Sequence, residues 1–271
     1  MTVDLFAVRS VLFLPASNPR AIDKARGTAA DLVVLDLEDA VKPEDKDAAR
    51  MAAVESVAQD WPMPVAIRIN GTASAWHGRD LAAITRCQAD LVVLPRVEAR
   101  QELTFVREQC GKPVAAMIET ARGVLAAASI THDCAALIAG TNDLRADLRL
   151  PLDSTRDPIS TALQLIVLAG RAAGIAVFDG VFNKLADPDG FAAECAEGRR
   201  LGFDGKSLIH PDQVEPCNRL FGPSEAEVAR ASKLVEAFSG GAERFEDSMI
   251  ERMHVEAARR VLARAGISLE K

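Results

Sequence analysis

The sequence predicts a (β/α)₈ TIM barrel followed by a C-terminal helical extension. Eight short apolar runs recur along the chain, and the stretches between them are long enough to hold a crossover helix. The runs are continuously apolar rather than alternating, which is typical of parallel strands buried on both faces. Eight strands with intervening helices match the count of a closed barrel, a fold that uses about 250 residues.

The predicted strands begin and end with clear signals. They are Ser10–Leu14, Leu32–Leu37, Val65–Asn70, Leu91–Leu94, Val114–Ile118, Ala135–Ala139, Ile175–Phe178 and Lys206–Ile209. An N-cap residue followed by proline predicts helix starts at Asn18-Pro19, Asp157-Pro158 and Asp187-Pro188. The alternative is an open, doubly wound sheet, which usually has a glycine-rich turn after its first strand. That turn reads PASNPR here, so the barrel is favoured.

Two domains are predicted, a catalytic barrel over residues 1–222 and a helical extension over residues 223–271. The eighth strand closes the barrel at Ile209, so the extension must pack outside it. It lies either on its own barrel or on a neighbouring subunit.

Capping boxes predict two helices in the extension. Pro223-Ser224 with Glu227 opens one, and Ser248 with Glu251 opens the other. Ser239–Gly241 is predicted to be a flexible joint between them.

Composition argues against several classes of function. The net charge is −7, aromatic residues make up 4% of the chain, and no run of five basic residues occurs, so nucleic-acid binding is not expected. The sequence shows neither a signal peptide nor an apolar run long enough for a membrane span. The five cysteines are far apart and form no metal-binding pattern, which predicts reduced thiols and a cytoplasmic protein.

Polar and charged residues follow most of the predicted strands, where a barrel places its active site. Carboxylates dominate, at Asp36, Glu38, Asp39, Glu119, Asp143 and Asp179. All-oxygen ligation suits a hard cation such as Mg²⁺, with Mn²⁺ possible, rather than Zn²⁺. Arg68 and Arg96 would supply donors for a substrate oxygen. The alternative for Glu119 and Asp143 is a buried salt bridge with Arg68 or Arg122.

Seven motifs in order resemble the citrate lyase β-subunit-like branch of the HpcH/HpaI aldolase family, from Arg9 to about Pro223. They are RSVLFLPASNPR, LVVLDLEDAVKPEDK, AIRIN, VVLPRVE, AMIETARGV, GTNDL and FDGKSLIHP. The resemblance implies a (β/α)₈ barrel that forms a homo-oligomer, a trimer or a hexamer. It also implies Mg²⁺-dependent cleavage or condensation of β-hydroxyacyl thioesters such as citryl-, malyl- or citramalyl-CoA.

The resemblance assigns roles motif by motif. Glu119 of IET and Asp143 of GTNDL resemble the metal ligands. Arg68 of RIN resembles the arginine that binds substrate and assists catalysis. Arg9, Asn70 and Glu119 are also expected to contact substrate.

Two further groups of residues surround this centre. Asp36, Glu38 and Asp39 are expected to hold metal-bound waters. Arg20 and Lys24, in and behind the PASNPR turn, are expected to receive the phosphates of CoA.

The catalytic base is expected from the C-terminal segment. The resemblance implies a carboxylate, often the Asp of an M-I-D sequence, that reaches the site of the adjacent subunit. The corresponding stretch here is Ser248-Met-Ile-Glu251, so a Glu, one methylene longer, stands in that place. Glu251 also fits a capping box, which is the structural alternative.

The expected function is therefore a carbon–carbon lyase acting on a β-hydroxyacyl-CoA. Three alternatives remain open. They are a citrate lyase β chain that uses an acyl-carrier-protein thioester, a pyruvate-type aldolase, and a barrel that binds acyl-CoA or keto acid without cleaving it.

Overall fold

Residues 3–267, the part of the chain described by a computed structural model, contain eight parallel strands in one closed barrel. Each strand pairs with the next, and β8 pairs with β1 to close the ring. The strands are β1 (Ser10–Pro15), β2 (Leu32–Asp36), β3 (Val65–Arg68), β4 (Leu91–Leu94), β5 (Val114–Ile118), β6 (Ala136–Ala139), β7 (Ala176–Asp179) and β8 (Gly205–Leu208). The predicted barrel is confirmed, and each strand end agrees with its prediction to within two residues.

Helices follow the strands in the expected alternation. They are α1 (Pro19–Ala25), α2 (Lys46–Val57), α3 (His77–Ile84), α4 (Arg100–Cys110), α5 (Ala121–Ile130), α6 (Thr141–Asp147), α7 (Ser160–Ala173), α8 (Pro188–Leu201) and α9 (Val214–Phe221). Asn18 and Asp187 cap α1 and α8 as predicted, each accepting a hydrogen bond from a backbone N–H of the first turn. Asp157-Pro158 instead opens a short 3₁₀ turn ahead of α7, so the helix start predicted there is corrected.

Alternate strand residues point into the barrel and form one apolar cluster. Its buried members include Val11, Val34, Val93, Ile138 and Phe178. Burial of such side chains stabilises the fold by about 2 kcal/mol each. The polar residues at the strand ends therefore lie above a packed apolar base.

The chain divides into two compact units, one ending at Asn218 and the other beginning at Arg219. The second unit contains α10 (Glu225–Ala237), a hairpin of β9 (Glu243–Phe245) and β10 (Ser248–Ile250), and α11 (Arg252–Arg264). Its small core includes Leu234, Ile250 and Leu262. The capping box predicted at Ser224 and Glu227 is confirmed.

The helix start predicted at Ser248 is wrong. Ser248–Ile250 is an extended strand, paired with β9, that buries Ile250 in the core of the second unit. Tertiary packing therefore outweighs the local capping signal. Ser239–Gly241 leads into this hairpin rather than joining two helices, and the Glu243 carboxylate accepts hydrogen bonds from Ser239 and Gly241.

In the described range, no helix combines the length and the apolar character needed to cross a membrane. All five cysteines carry free thiols.

A buried ionic cluster joins the outer face of the barrel to α8. Lys206 of β8 is fully buried, and its Nζ lies 3.0 Å from Asp179 and 2.6 Å from Glu194. Arg156 adds a 2.6 Å contact to Asp179. Burial alone would raise the pKa of Asp179, but Lys206 and Arg156 hold it below its usual value. Asp179 thus belongs to the packing of the barrel wall and is satisfied there.

Lys206→Met is expected to lower the free energy of unfolding by about 3 kcal/mol, because it removes the cation that pairs with the Asp179 and Glu194 carboxylates. The exposed pair of Arg79 with Asp47 offers a control, and Arg79→Met should cost less than about 1 kcal/mol. Urea titration followed by circular dichroism measures both. Equal losses would show that the cluster has no special stabilising role.

Candidate active site

A cavity of about 370 Å³ opens at the carboxyl ends of the strands. Four of the predicted site residues that line it are Asp36, Arg68, Glu119 and Asp143. The structure thus brings together residues from four different strands or strand-following turns, as expected where parallel strand ends meet.

Arg68 is held on the cavity floor by carboxylates. Its Nε donates a hydrogen bond to Oδ1 of Asp36 and its Nη2 donates one to Oδ2, both at 2.6 Å. Its Nη1 lies 2.8 Å from Glu38 and 3.7 Å from the Met117 sulfur. Asp36 also accepts backbone hydrogen bonds from the turn after β2. This bidentate pair fixes the guanidinium plane, with Nη1 directed toward Glu38 and Met117.

Glu38 and Asp39 differ in their surroundings. Asp39 is exposed and lies 3.9 Å from Arg68, on the cavity rim. Glu38 is mostly buried, and burial raises its pKa to about 8. The charge of Arg68 lowers the pKa of Glu38, whereas the neighbouring carboxylates raise it, and Asp39 has the largest effect among them. Excess negative charge therefore surrounds a single buried arginine.

Glu119 follows β5 and has only 2% of its surface exposed. Its Oε1 accepts a 2.7 Å hydrogen bond from the backbone N–H of Arg96. Arg96 has a φ of +52°, a left-handed conformation that residues with a side chain seldom adopt, so this turn is strained. Gly140 packs so closely on Glu119 that a Cβ at that position would collide with the carboxylate. Local backbone geometry therefore sets the direction of Glu119.

Asp143 lies in the first turn of α6, where 38% of its side chain is exposed. Its Oδ1 is 3.1 Å from Arg96 Nη1. Burial, and then the charge of Asp143, raise the pKa of Glu119 to about 7, although Arg68 and the Arg96 N–H act in the opposite direction. The two carboxylates are close enough to repel each other, so a cation bound between them would be stabilised.

The donor set fits a hard divalent cation. Residues 3–267 contain no group of three or more His, Cys, Asp or Glu side chains arranged to hold a metal. Mg²⁺ commonly uses one or two protein carboxylates and keeps several waters, whereas structural Zn²⁺ needs four protein ligands. Glu119 and Asp143 suit Mg²⁺, or Mn²⁺, with substrate and water completing the coordination.

Asn70 lies beside this centre but is already engaged. Its amide donates to Asp80 at 2.6 Å and to the Leu37 carbonyl at 3.0 Å, and its Oδ1 accepts from Lys46 at 2.8 Å. It lines a neighbouring cavity rather than the one with Glu119. Asn70 thus ties the ends of β2 and β3 together, and its contact with substrate stays a prediction.

Arg9 is not part of the cluster. It precedes β1 and therefore lies at the amino-terminal end of the barrel, opposite the cavity. Its guanidinium and backbone N–H both bind Asp31, at 2.8–2.9 Å. The substrate contact predicted for Arg9 is corrected to a structural ion pair.

Arg20 and Lys24 are both exposed on α1, which follows β1 on the cavity side of the barrel. Both side chains are open to solvent, so they remain candidates for a phosphate group arriving over this helix.

Glu251 lies in the second unit as the N-cap residue of α11, and its side chain is exposed. Its backbone N–H donates a 2.9 Å hydrogen bond to His254 Nδ1. Because Ser248 is in a strand, the predicted capping box between Ser248 and Glu251 does not form.

Several residues that line the cavity are not among those predicted from the sequence. Met117 and Ser207 point inward from β5 and β8, and Asn183 hydrogen-bonds across the cavity wall to Asn142 of the GTNDL motif. The inward-facing residues could have been predicted, because alternate residues of a strand point to the same side and this alternation continues to the end of each strand.

The sequence model of the HpcH/HpaI aldolase/citrate lyase family matches residues 9–211. This chain belongs to that family. The matched segment begins just before β1 and ends just after β8, so it covers the entire barrel and confirms the predicted relationship.

Named relatives cover nearly the whole chain. A protein of Cereibacter sphaeroides (strain ATCC 17025 / ATH 2.4.3) called (3S)-malyl-CoA thioesterase is 38% identical over 268 residues, which cover 95% of this chain and 94% of the relative. The citrate lyase subunit beta of Escherichia coli (strain K12) is 32% identical over 287 residues, covering 96% and 94%.

Solved structures show the same architecture. CitE from Mycobacterium tuberculosis, in complex with magnesium, acetoacetate and coenzyme A, superposes with a TM-score of 0.84 at 31% identity. The superposition covers 96% of this chain and 99% of that one. A citrate lyase beta subunit from the same organism, complexed with oxaloacetate and magnesium, gives 0.74 at 32% identity over 81% of this chain and 100% of that one.

Glu119→Gln is expected to stabilise the metal-free protein at pH 8 by up to about 3 kcal/mol, because the amide carries no buried charge. The pKa of Glu119 is raised in the folded protein, so the parent loses stability as pH rises from about 4.5 through 7. The difference in free energy of unfolding between Glu119→Gln and the parent should therefore increase as pH rises over that range.

Thermal unfolding in a chelating buffer at several pH values measures this difference in stability. Glu55→Gln, on the exposed face of α2, is the matched control and should follow the parent at every pH. If the stabilities of Glu119→Gln and the parent changed with pH in the same way, Glu119 could not be a buried carboxyl group with a raised pKa.

Proposed function

We propose that this protein is a Mg²⁺-dependent carbon–carbon lyase that cleaves, or in reverse condenses, a β-hydroxyacyl-CoA such as malyl-CoA. The observation that carries the proposal is the buried Glu119 carboxylate beside Asp143, at the mouth of a barrel cavity. Membership of the family, and relatives that bind magnesium with coenzyme A or oxaloacetate, support it.

The reaction breaks the bond between the carbon next to the thioester carbonyl and the carbon that bears the hydroxyl. A base removes the hydroxyl proton, the oxygen becomes a carbonyl, and the electron pair remains on the thioester side as an enolate. Mg²⁺ held by Glu119 and Asp143 would supply Lewis-acid stabilisation of the keto-acid oxygens. The enolate then takes up a proton to give the acyl-CoA.

Arg68 supplies fixed positive charge to this reaction. Its bidentate pairing with Asp36 prevents the guanidinium from rotating, so its positive charge is fixed beside the cavity before a substrate binds. Arg20 and Lys24 would receive the CoA phosphates on the exposed surface of α1.

A second candidate function is hydrolysis of the malyl-CoA thioester. The observation that favours it is the 38% identity to a relative called (3S)-malyl-CoA thioesterase. Hydrolysis would direct a water to the thioester carbonyl and leave the carbon–carbon bond intact.

Product analysis separates the two. With malyl-CoA, lyase activity is expected to release glyoxylate and acetyl-CoA, and hydrolysis would release malate and free CoA. Chelation should abolish turnover and added Mg²⁺ should restore it. Glu119→Gln should lose at least about 100-fold in kcat/KM, since even changes outside the metal ligands cost 10–100-fold. Full turnover after thorough chelation would refute the metal-dependent mechanism.

We further propose that Glu251 of a neighbouring copy is the base, within a homotrimer or homohexamer. The support is an exposed carboxylate on an N-cap residue, together with the resemblance of Met249–Glu251 to the segment that supplies the base. The five free thiols support a cytoplasmic location.

Glu251→Gln is expected to lower kcat about 100-fold with little change in KM, because general-base catalysis contributes 10²–10⁴-fold. Glu256→Gln, on the same helix and in a surface pair with Arg252, is the matched control and should keep the parent rate. Mixing Glu251→Gln with Glu119→Gln should restore activity if the base comes from a neighbour. An unchanged rate for Glu251→Gln would exclude the base role.

A further inference from the structure

One polar side chain on the main cavity has no role in the chemistry above. Ser207 of β8 lines this cavity together with Phe13, Arg68 and Met117, and 2% of its surface is exposed. Within the described part of the chain, its Oγ has no hydrogen-bond partner.

Such a hydroxyl is unusual in a folded protein. Buried polar groups almost always find a partner, and an unsatisfied one costs stability. The other buried serines follow this rule. Ser10 Oγ accepts a hydrogen bond from the Asp31 N–H at 3.0 Å, and Ser56 Oγ accepts from Arg26 at 3.4 Å. Ser207 differs in facing a cavity, so a molecule bound there can supply the missing partner.

The surroundings indicate the chemistry of that molecule. Arg68 also lines the cavity, and its Nη1 lies 2.8 Å from Glu38, 3.9 Å from Asp39 and 3.7 Å from the Met117 sulfur, a weak acceptor. A hydroxyl donor and the fixed positive charge of Arg68 thus line the same cavity as the apolar side chains of Phe13 and Met117. A hydroxyl donor with a cation nearby matches a carboxylate.

We propose that the Ser207 hydroxyl is a substrate contact, donating a hydrogen bond to the carboxylate of the 2-oxo acid that forms or reacts in this cavity. The proposal rests on the function proposed above and adds a residue that recognises the keto acid rather than the thioester.

Isothermal titration of the Mg²⁺-loaded protein with pyruvate, oxaloacetate and acetyl-CoA tests it. Ser207→Ala is expected to weaken keto-acid binding about tenfold, the effect of one hydrogen bond to a charged group, and to leave acetyl-CoA binding unchanged. Because the Ser207 Oγ bonds to no other protein group in the described part of the chain, the substitution breaks no hydrogen bond within the fold, and the melting temperature of Ser207→Ala should be at least that of the parent.

Ser10→Ala is the matched control, a buried serine on the adjacent strand whose Oγ does have a partner. It should melt at a lower temperature and bind keto acids as the parent does. Ser207→Ala with lowered melting temperature and unchanged keto-acid affinity would overturn the proposal, as would a loss confined to acetyl-CoA. A parent protein that binds no keto acid would instead refute the proposed function.

Discussion

The Glu119 carboxylate is held almost completely out of water with the charge of Asp143 beside it, and much of the site follows from this arrangement. A buried carboxylate is costly unless a cation compensates it. The backbone is arranged to keep it there, through a left-handed Arg96 on one side and Gly140 on the other. Strain and close packing at this point are explained if the carboxylate serves a bound cation rather than the stability of the fold.

The barrel separates its buried charges into two groups with different roles. Asp179 of β7 and Lys206 of β8 face outward and neutralise each other within the wall. Arg68 and Asp36 face inward at the strand ends and border the cavity. Both pairs are buried and short, so burial and distance alone do not distinguish a structural pair from a functional one. The face of the strand from which each side chain projects makes that distinction.

The fold and the centre of the site could be predicted because they depend on simple regularities. Continuous apolar runs identify parallel strands, and parallel strands bring their carboxyl ends together, so Asp36, Arg68 and Glu119 could be grouped from the sequence. Arg9 was wrongly included although it precedes its strand, a position that leads to the opposite end of the barrel.

Other features depend on contacts between distant segments. Asn70 is engaged by Lys46 and Asp80, and no local pattern indicates this. The strand at Ser248 is three residues long and depends on pairing with β9, so the capping signal there was misleading. Ser207 lies between Lys206 and Leu208, and only the three-dimensional structure shows that its hydroxyl has no partner in the described part of the protein.

Calorimetric titration with Mg²⁺ at pH 8, 7 and 6 tests whether Glu119 and Asp143 form a metal site. One ion should bind per chain. Since the pKa of Glu119 is about 7, protons should compete with the metal, so the affinity at pH 6 should be about tenfold weaker than at pH 8. Binding that releases protons at pH 6 and weakens in this way is the predicted result. No Mg²⁺ binding, or an affinity that does not change between pH 6 and pH 8, would contradict the assignment of Glu119 as a buried metal ligand.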